Sequence, residues 1–181
     1  MNDNQDHLST AIRFTEIARE FCAAIDFAHE IDRTAFLVRI YRILPRLIGE
    51  AIELPALNLS DEGDEEEDST STARKNHQRL TDTQWNEFYE LLKEKFGDWT
   101  LYLQVFDPTK DKEAIFGSLA DDLADIYRDL KKVLTLREDD HSPVQNALWQ
   151  WRFDYYVHRG HHAINALNAI HSRLEDLLAE I

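Results

Sequence analysis

Two stretches in the second half of the chain carry residue types that hold metal ions. Ser118–Leu134 reads S-L-A-D-D-L-A-D-I-Y-R-D-L-K-K-V-L, and Trp149–His162 reads W-Q-W-R-F-D-Y-Y-V-H-R-G-H-H. In the first, Asp122, Asp125 and Asp129 are spaced i, i+3 and i+7. On a helix their carboxylates share one flank and repel by roughly 0.2–0.5 kcal/mol per pair. A hard divalent cation would relieve that repulsion. Ion pairs Asp125–Arg128 and Asp129–Lys132 in water would relieve it too, and carboxylates on helix surfaces are usually solvated. In the second stretch, His158 and His162 are spaced i, i+4, with His161 beside them. That spacing puts two imidazoles on one helical face, as a metal site on a helix requires. Brought together, Asp122, Asp125, Asp129, His158 and His162 would form an aspartate–histidine metal site. The competing arrangement pairs Asp154 with His158 and gives His162 a carbonyl or a tyrosine. The repeated Glu-x-x-His units of metal-binding bundles are absent, which weighs towards that blander arrangement.

Helices have to position these groups. A first helix is expected over about 9–27, with Ala11, Phe14, Ile17, Ala18, Phe21 and Ile25 on one stripe. Cys22 lies on or beside that stripe and reads as an inert core thiol. A second helix opens at Asp32, a suitable N-cap, and runs to about 53 with Phe36, Leu37, Ile40, Ile43, Leu44, Leu47, Ala51 and Leu54 inward. Pro45 should kink it, and Arg39, Arg42 and Arg46 form a basic, solvated flank. Thr81-Asp82-Thr83-Gln84 is a capping box for a third helix, which Gly97 ends. Asp98–Phe106 alternates like a strand but has no visible partner, so a short helix is the expectation there. Ser118 caps the fourth helix. Ser142-Pro143 opens the last one, whose start is apolar on nearly every side, as expected of a buried central helix. Past Gly160 the apolar stripe shifts by roughly 100°, which suits a helix changing partners midway, and a glycine inside it is expected to meet a close neighbour in a continuous or mildly kinked helix.

Composition narrows the class. The chain has 181 residues, 43% of them apolar, with only five Gly and four Pro, so one helical domain over 1–181 is expected. No apolar run approaches the roughly 20 residues of a membrane span, and the N-terminus lacks the pattern of a signal peptide. A lone cysteine suits a reducing cytoplasm and leaves no Cys-based zinc or iron–sulfur site. Net charge is −15, and the seven acids of Asp61–Asp68 supply almost half of it. Such a surface repels phosphate backbones and anionic lipid, which argues against nucleic-acid and membrane partners. The segment at about 56–79 breaks all periodicity and is expected to be a mobile acidic loop.

A resemblance emerges from Ile43-Leu44-Pro45, Val105-Phe106-Asp107, the block from Ser118 to Lys131, Trp151-Arg152-Phe153, and His158-x-Gly160-x-His162 running on to Ile170-His171. In these the chain resembles a family of uncharacterised bacterial proteins defined only as a domain of unknown function. Where that family shows a tryptophan beside the glycine, this chain has Arg159. The resemblance implies an all-helical fold and carries no catalytic residues across.

The expectation from the sequence is an all-α, single-domain bundle of five to seven helices with a buried C-terminal helix. There is no Gly-rich phosphate loop, no G-x-S-x-G and no H-E-x-x-H. The leading functional expectation is therefore a cytoplasmic, non-enzymatic protein-interaction module, which requires no cofactor. The alternative is a divalent-metal-dependent hydrolase acting on a phosphorylated small molecule through the Asp/His site. The two separate on whether those side chains converge within about 5 Å where water can reach them.

Overall fold

Apolar stripes decide how these helices meet, and caps decide where they stop. The computed structural model describes residues 3–56, 81–138 and 144–179. Among them are six α-helices: α1 (Asp3–Asp26), α2 (Arg33–Ile52), α3 (Asp82–Phe96), α4 (Leu119–Glu138), α5 (Val144–Asp154) and α6 (Gly160–Ala179). An antiparallel hairpin, β1 (Leu101–Gln104) and β2 (Ile115–Ser118), precedes α4. Over the described residues the fold is all-α apart from that hairpin. None of the described helices is long and apolar enough to cross a membrane.

The stripes expected on α1 and α2 are buried, every named residue being 5% exposed or less. Each large side chain so buried contributes about 1.5–3 kcal/mol. α1 and α2 pack together, α6 packs on α2 and α4, and α3 covers the other side of α4. One apolar core runs through all six helices. Aromatic pairs tie it across elements, with ring centroids 4.7 Å apart for Phe14–Trp151 and 4.5 Å for Phe88–Tyr127. Cys22 is 3% exposed, and burial pushes its thiol up to about 12, so it stays protonated and unreactive.

Local chemistry fixes the ends. The Asp32 carboxylate accepts from the Ala35 N–H at 2.9 Å, and the Thr81/Gln84 capping box is formed at both bonds. Gly97 ends α3 at φ +57°, a conformation that side chains disfavour. Arg33 clamps this corner, donating to the Phe96 carbonyl and lying 3.7 Å over the Trp99 ring. α2 runs unbroken through Pro45, which faces solvent together with Arg39, Arg42 and Arg46.

Three expectations need correction. The short helix expected within 98–106 is instead a 3₁₀ turn, Gly97–Trp99, followed by β1. Its missing partner is β2, which pairs Leu101 with Ser118 and Gln104 with Ile115 across an intervening loop, so one edge of its main chain is paired. The apolar start of the last helix is not buried all round. Trp151 is 1% exposed, but Phe153, Tyr156 and Val157 are about half exposed or more, so only one side meets the core. Gly160 does lie in a continuous helical path, at φ −58°, but its close neighbour is in its own helix. Residues Tyr155–Arg159 form a π-turn, and a Cβ at Gly160 would lie 2.8 Å from the Tyr155 carbonyl oxygen. A π-turn inserts one extra residue, which rotates the downstream helix by about 100° and accounts for the shifted stripe. α6 thereby turns Ala163, Ala166, Ala169 and Ile170 inward. The expected acidic loop falls almost wholly on 57–80, and the Ser142-Pro143 cap on 139–143; both lie outside the described residues.

Candidate functional site

The hairpin, α3, α4 and α6 converge on a small charged cluster. α4 begins where β2 ends: the Ser118 hydroxyl accepts from the Asp121 N–H at 3.3 Å, which starts the helix at the aspartates. Asp121, Asp122 and Asp125 thus occupy the first two turns. Asp122 is 4% exposed and Asp125 8%. Buried carboxylates require partners, and both have them.

The Asp122 carboxylate accepts from the Tyr102 hydroxyl of β1 at 2.5 Å and from His162 Nδ1 of α6 at 2.7 Å. One Asp125 oxygen accepts from Trp85 Nε1 of α3 at 2.9 Å and lies 2.8 Å from the Arg128 guanidinium. The other Asp125 oxygen faces His162 Nε2 at 3.5 Å. That separation is long for a good hydrogen bond. It is close to the roughly 3.4 Å between two ligands that share one tetrahedral ion at about 2.1 Å each. One ligand atom from each of Asp121, Asp125 and His162 lies within 4.8 Å of the others. The His162 side chain keeps 21% exposure, so water reaches the cluster.

Charge is poorly balanced there. Burial pulls the His162 imidazolium down, but the hydrogen bond to Asp122 and the charges of Asp122, Asp125 and Asp121 overcome this and raise its pKa. Burial, followed by the charges of Asp125 and Asp122, holds the Asp121 carboxyl above the usual range. Burial and then the Asp122 charge push the Tyr102 phenol far up, so it remains a donor. In the metal-free protein, His162 therefore stabilises the fold fully below its unfolded pKa of about 6.5, and that stability fades as pH rises through the higher folded value. The stability difference between wild type and His162→Gln should shrink from pH 6 to pH 9. A difference that grows over that range would mean that His162 is held as the neutral ring.

The five residues singled out in the sequence divide. Asp122, Asp125 and His162 come together. Asp129 does not join them: it lies 3.3 Å from Nε of Arg159. The His158 side chain lies outside the described residues. Of the ion pairs expected in water, Asp125–Arg128 is present, while Asp129 turns to Arg159; the Lys132 side chain also lies outside the described residues. Asp154 takes Arg159 and the Gln150 amide as partners. Glu87, Glu90 and Glu94 on α3 are exposed. Arg159, where the chain departs from the family resemblance, is 4% exposed and bridges Asp129 and Asp154. Sequence reasoning missed Asp121, Tyr102 and Trp85. The i, i+4 spacing of Asp121 and Asp125 was a usable signal for the first, but nothing local pointed to the other two.

In fold, the chain is similar to a solved crystal structure, protein BF1032 from Bacteroides fragilis, at a TM-score of 0.71 and 24% identity, covering 90% of each chain. No curated protein matches. The sequence pattern described as "Domain of unknown function (DUF5063)" matches residues 5–176, most of the chain and all the elements around the cluster, and the chain belongs to that family.

Proposed function

We propose that this chain is a divalent-metal protein whose ion is held by Asp121, Asp125 and His162, and that it hydrolyses a phosphorylated small molecule. The observation that carries this reading is the convergence of those three ligand atoms within 4.8 Å where His162 is still reachable from water. The surroundings support it. Metal-binding histidines usually donate their second ring nitrogen to a carboxylate, and Asp122, itself fixed by Tyr102, stands at His162 Nδ1. Trp85 and Arg128 both bind the same Asp125 oxygen, which turns the other one towards His162. Two carboxylates and a neutral imidazole would balance a divalent charge.

Three protein ligands leave a coordination position for water or substrate, the pattern of hydrolytic rather than structural sites. When bound, the ion would supply a more acidic water and a Lewis acid for a phosphoryl oxygen. In hydrolysis, a water oxygen bonds to phosphorus, the ester P–O bond breaks, and a proton passes to the leaving alcohol. The chain's own part is orientation and charge. Tyr102 and Asp122 fix the imidazole, and Arg128, 35% exposed in its side chain, places a guanidinium beside Asp125 within reach of phosphate oxygens.

Untagged protein stripped with EDTA should gain thermal stability on adding Zn²⁺ or Mn²⁺. The gain should be about 2.7 kcal/mol at a hundredfold excess over Kd. It should grow with pH, since metal and proton compete for His162. His162→Gln or Asp125→Asn should abolish it, and Asp122→Asn should weaken metal affinity roughly 10–100-fold. Phosphomonoester hydrolysis by the loaded protein tests the second half of the reading. Unchanged melting with metal or EDTA, together with no heat of binding, would sink the first half. An interaction role, the other expectation from the sequence, has its support elsewhere, in exposed apolar residues of the hairpin.

A further inference from the structure

The hairpin carries an apolar face that nothing in the described chain covers. Leu101 is 53% exposed, Leu103 64% and Phe116 72%, and Leu103 stands opposite Phe116 in the ladder. Together they form one wall of a groove of about 360 Å³ whose other wall is Ala169, Ser172 and Arg173 of α6. The groove also runs along the outer edge of β1. The Leu119 N–H donates to the Thr100 carbonyl at 2.8 Å, which fixes the phase of the antiparallel ladder. Tyr102 and Gln104 then turn their main-chain groups towards β2, while Leu101 and Leu103 turn theirs outwards. Arg173 agrees with this phase, since its guanidinium donates to the outward Leu101 carbonyl at 3.2 Å from across the groove.

We propose that this groove binds an extended peptide segment of another protein, which adds as a strand to the edge of β1 and carries a carboxylate that meets Arg173. The edge supplies the Leu101 and Leu103 N–H groups and the Leu103 carbonyl, the Leu101 carbonyl being held by Arg173, and the leucines and Phe116 supply pockets for alternate apolar side chains. Charge complementarity selects the carboxylate. Among the described residues, Arg173 is the one charged side chain lining the groove. Its guanidinium has five N–H donors, more than the Leu101 carbonyl and the exposed Asp176, 3.9 Å away, can use. A second copy of the chain is a poorer occupant, because its own groove brings the same cation, Arg173, to the contact. The proposal is independent of the metal reading.

The test uses a fluorescent acetylated peptide, Thr-Val-Glu-Val-Thr-Val amide, titrated into the full chain in EDTA. Saturable binding is expected, at least tenfold weaker with Lys in place of Glu and lost with Pro at the central Val. Arg173→Gln and Leu103→Asp should each weaken it at least tenfold; Leu103 is well exposed, and an unchanged melting curve verifies the fold of each variant. Equal binding of the Glu and Lys peptides, or no binding at millimolar protein, would overturn the proposal. So would sedimentation showing self-association that Leu103→Asp breaks, since a second copy would then be the occupant.

Discussion

Replacing Arg159 by Ala should destabilise the protein by about 3–5 kcal/mol, the usual cost of removing one partner from a buried charge network. The Arg159 side chain is 5% exposed and bridges Asp129, at 22%, and Asp154, at 18%. Burial pulls the guanidinium pKa down while the two aspartates hold it up, so the network is mutually dependent. Without the arginine, the Asp129 and Asp154 carboxylates lose the cation they share. The cost should come from those carboxylates rather than from lost packing. Combining Arg159→Met with Asp129→Asn and Asp154→Asn should therefore recover most of the loss, because a packed neutral cluster often equals or exceeds a buried ionic one. Urea denaturation of wild type and these variants measures both effects. A loss below about 1 kcal/mol for Arg159→Ala would mean that water reaches the aspartates directly.

What the sequence revealed depended on how far apart the interacting residues lie. The stripes of α1 and α2 and the capping box of α3 are local patterns, and each stands where its spacing put it. The hairpin was missed because β2 is four residues long and pairs with β1 across a loop, so neither strand displays its partner nearby. The π-turn left only an indirect mark, the jump in the apolar stripe at Gly160, which can equally signal a change of partners. The all-round apolarity of residues 144–157 read as burial on every side, and Phe153, Tyr156 and Val157 proved to be outside. At the cluster, helical projection placed Asp122 and Asp125 on one flank correctly. It could not show that Tyr102 and Trp85 would claim one carboxylate each, nor that Asp129 would be drawn to Arg159. Those choices are made by side chains 20 to 40 residues away in sequence, set by a hairpin and helices that the flank itself does not encode.

The second large effect should come from Trp151, which lies just before the π-turn and anchors it. Trp151 is 1% exposed, packs on Phe14, and lines a void of about 20 Å³ together with Tyr155, Arg159 and Ala163. Large-to-small changes of this kind cost about 3–5 kcal/mol, through lost transfer energy and the cavity left behind. For a chain of this size that lowers Tm by roughly 6–20 °C. Two features decide where in that range the value falls. The existing void means that neighbours start with incomplete contacts, so collapse into the new space is limited and the cost rises. Against that, Nε of Arg159 is buried and faces Asp129 at 3.3 Å without an aligned hydrogen bond, and a larger cavity would admit water to it. The second effect disappears when the arginine does. Trp151→Ala combined with Arg159→Met should then differ from the sum of the single changes by more than about 0.5 kcal/mol. Thermal and urea unfolding of Trp151→Ala, Arg159→Met and the double variant close the cycle. Additive costs would show that water does not reach the guanidinium through the cavity, and a Trp151→Ala loss under about 1 kcal/mol would show that the indole does not anchor the turn into α6.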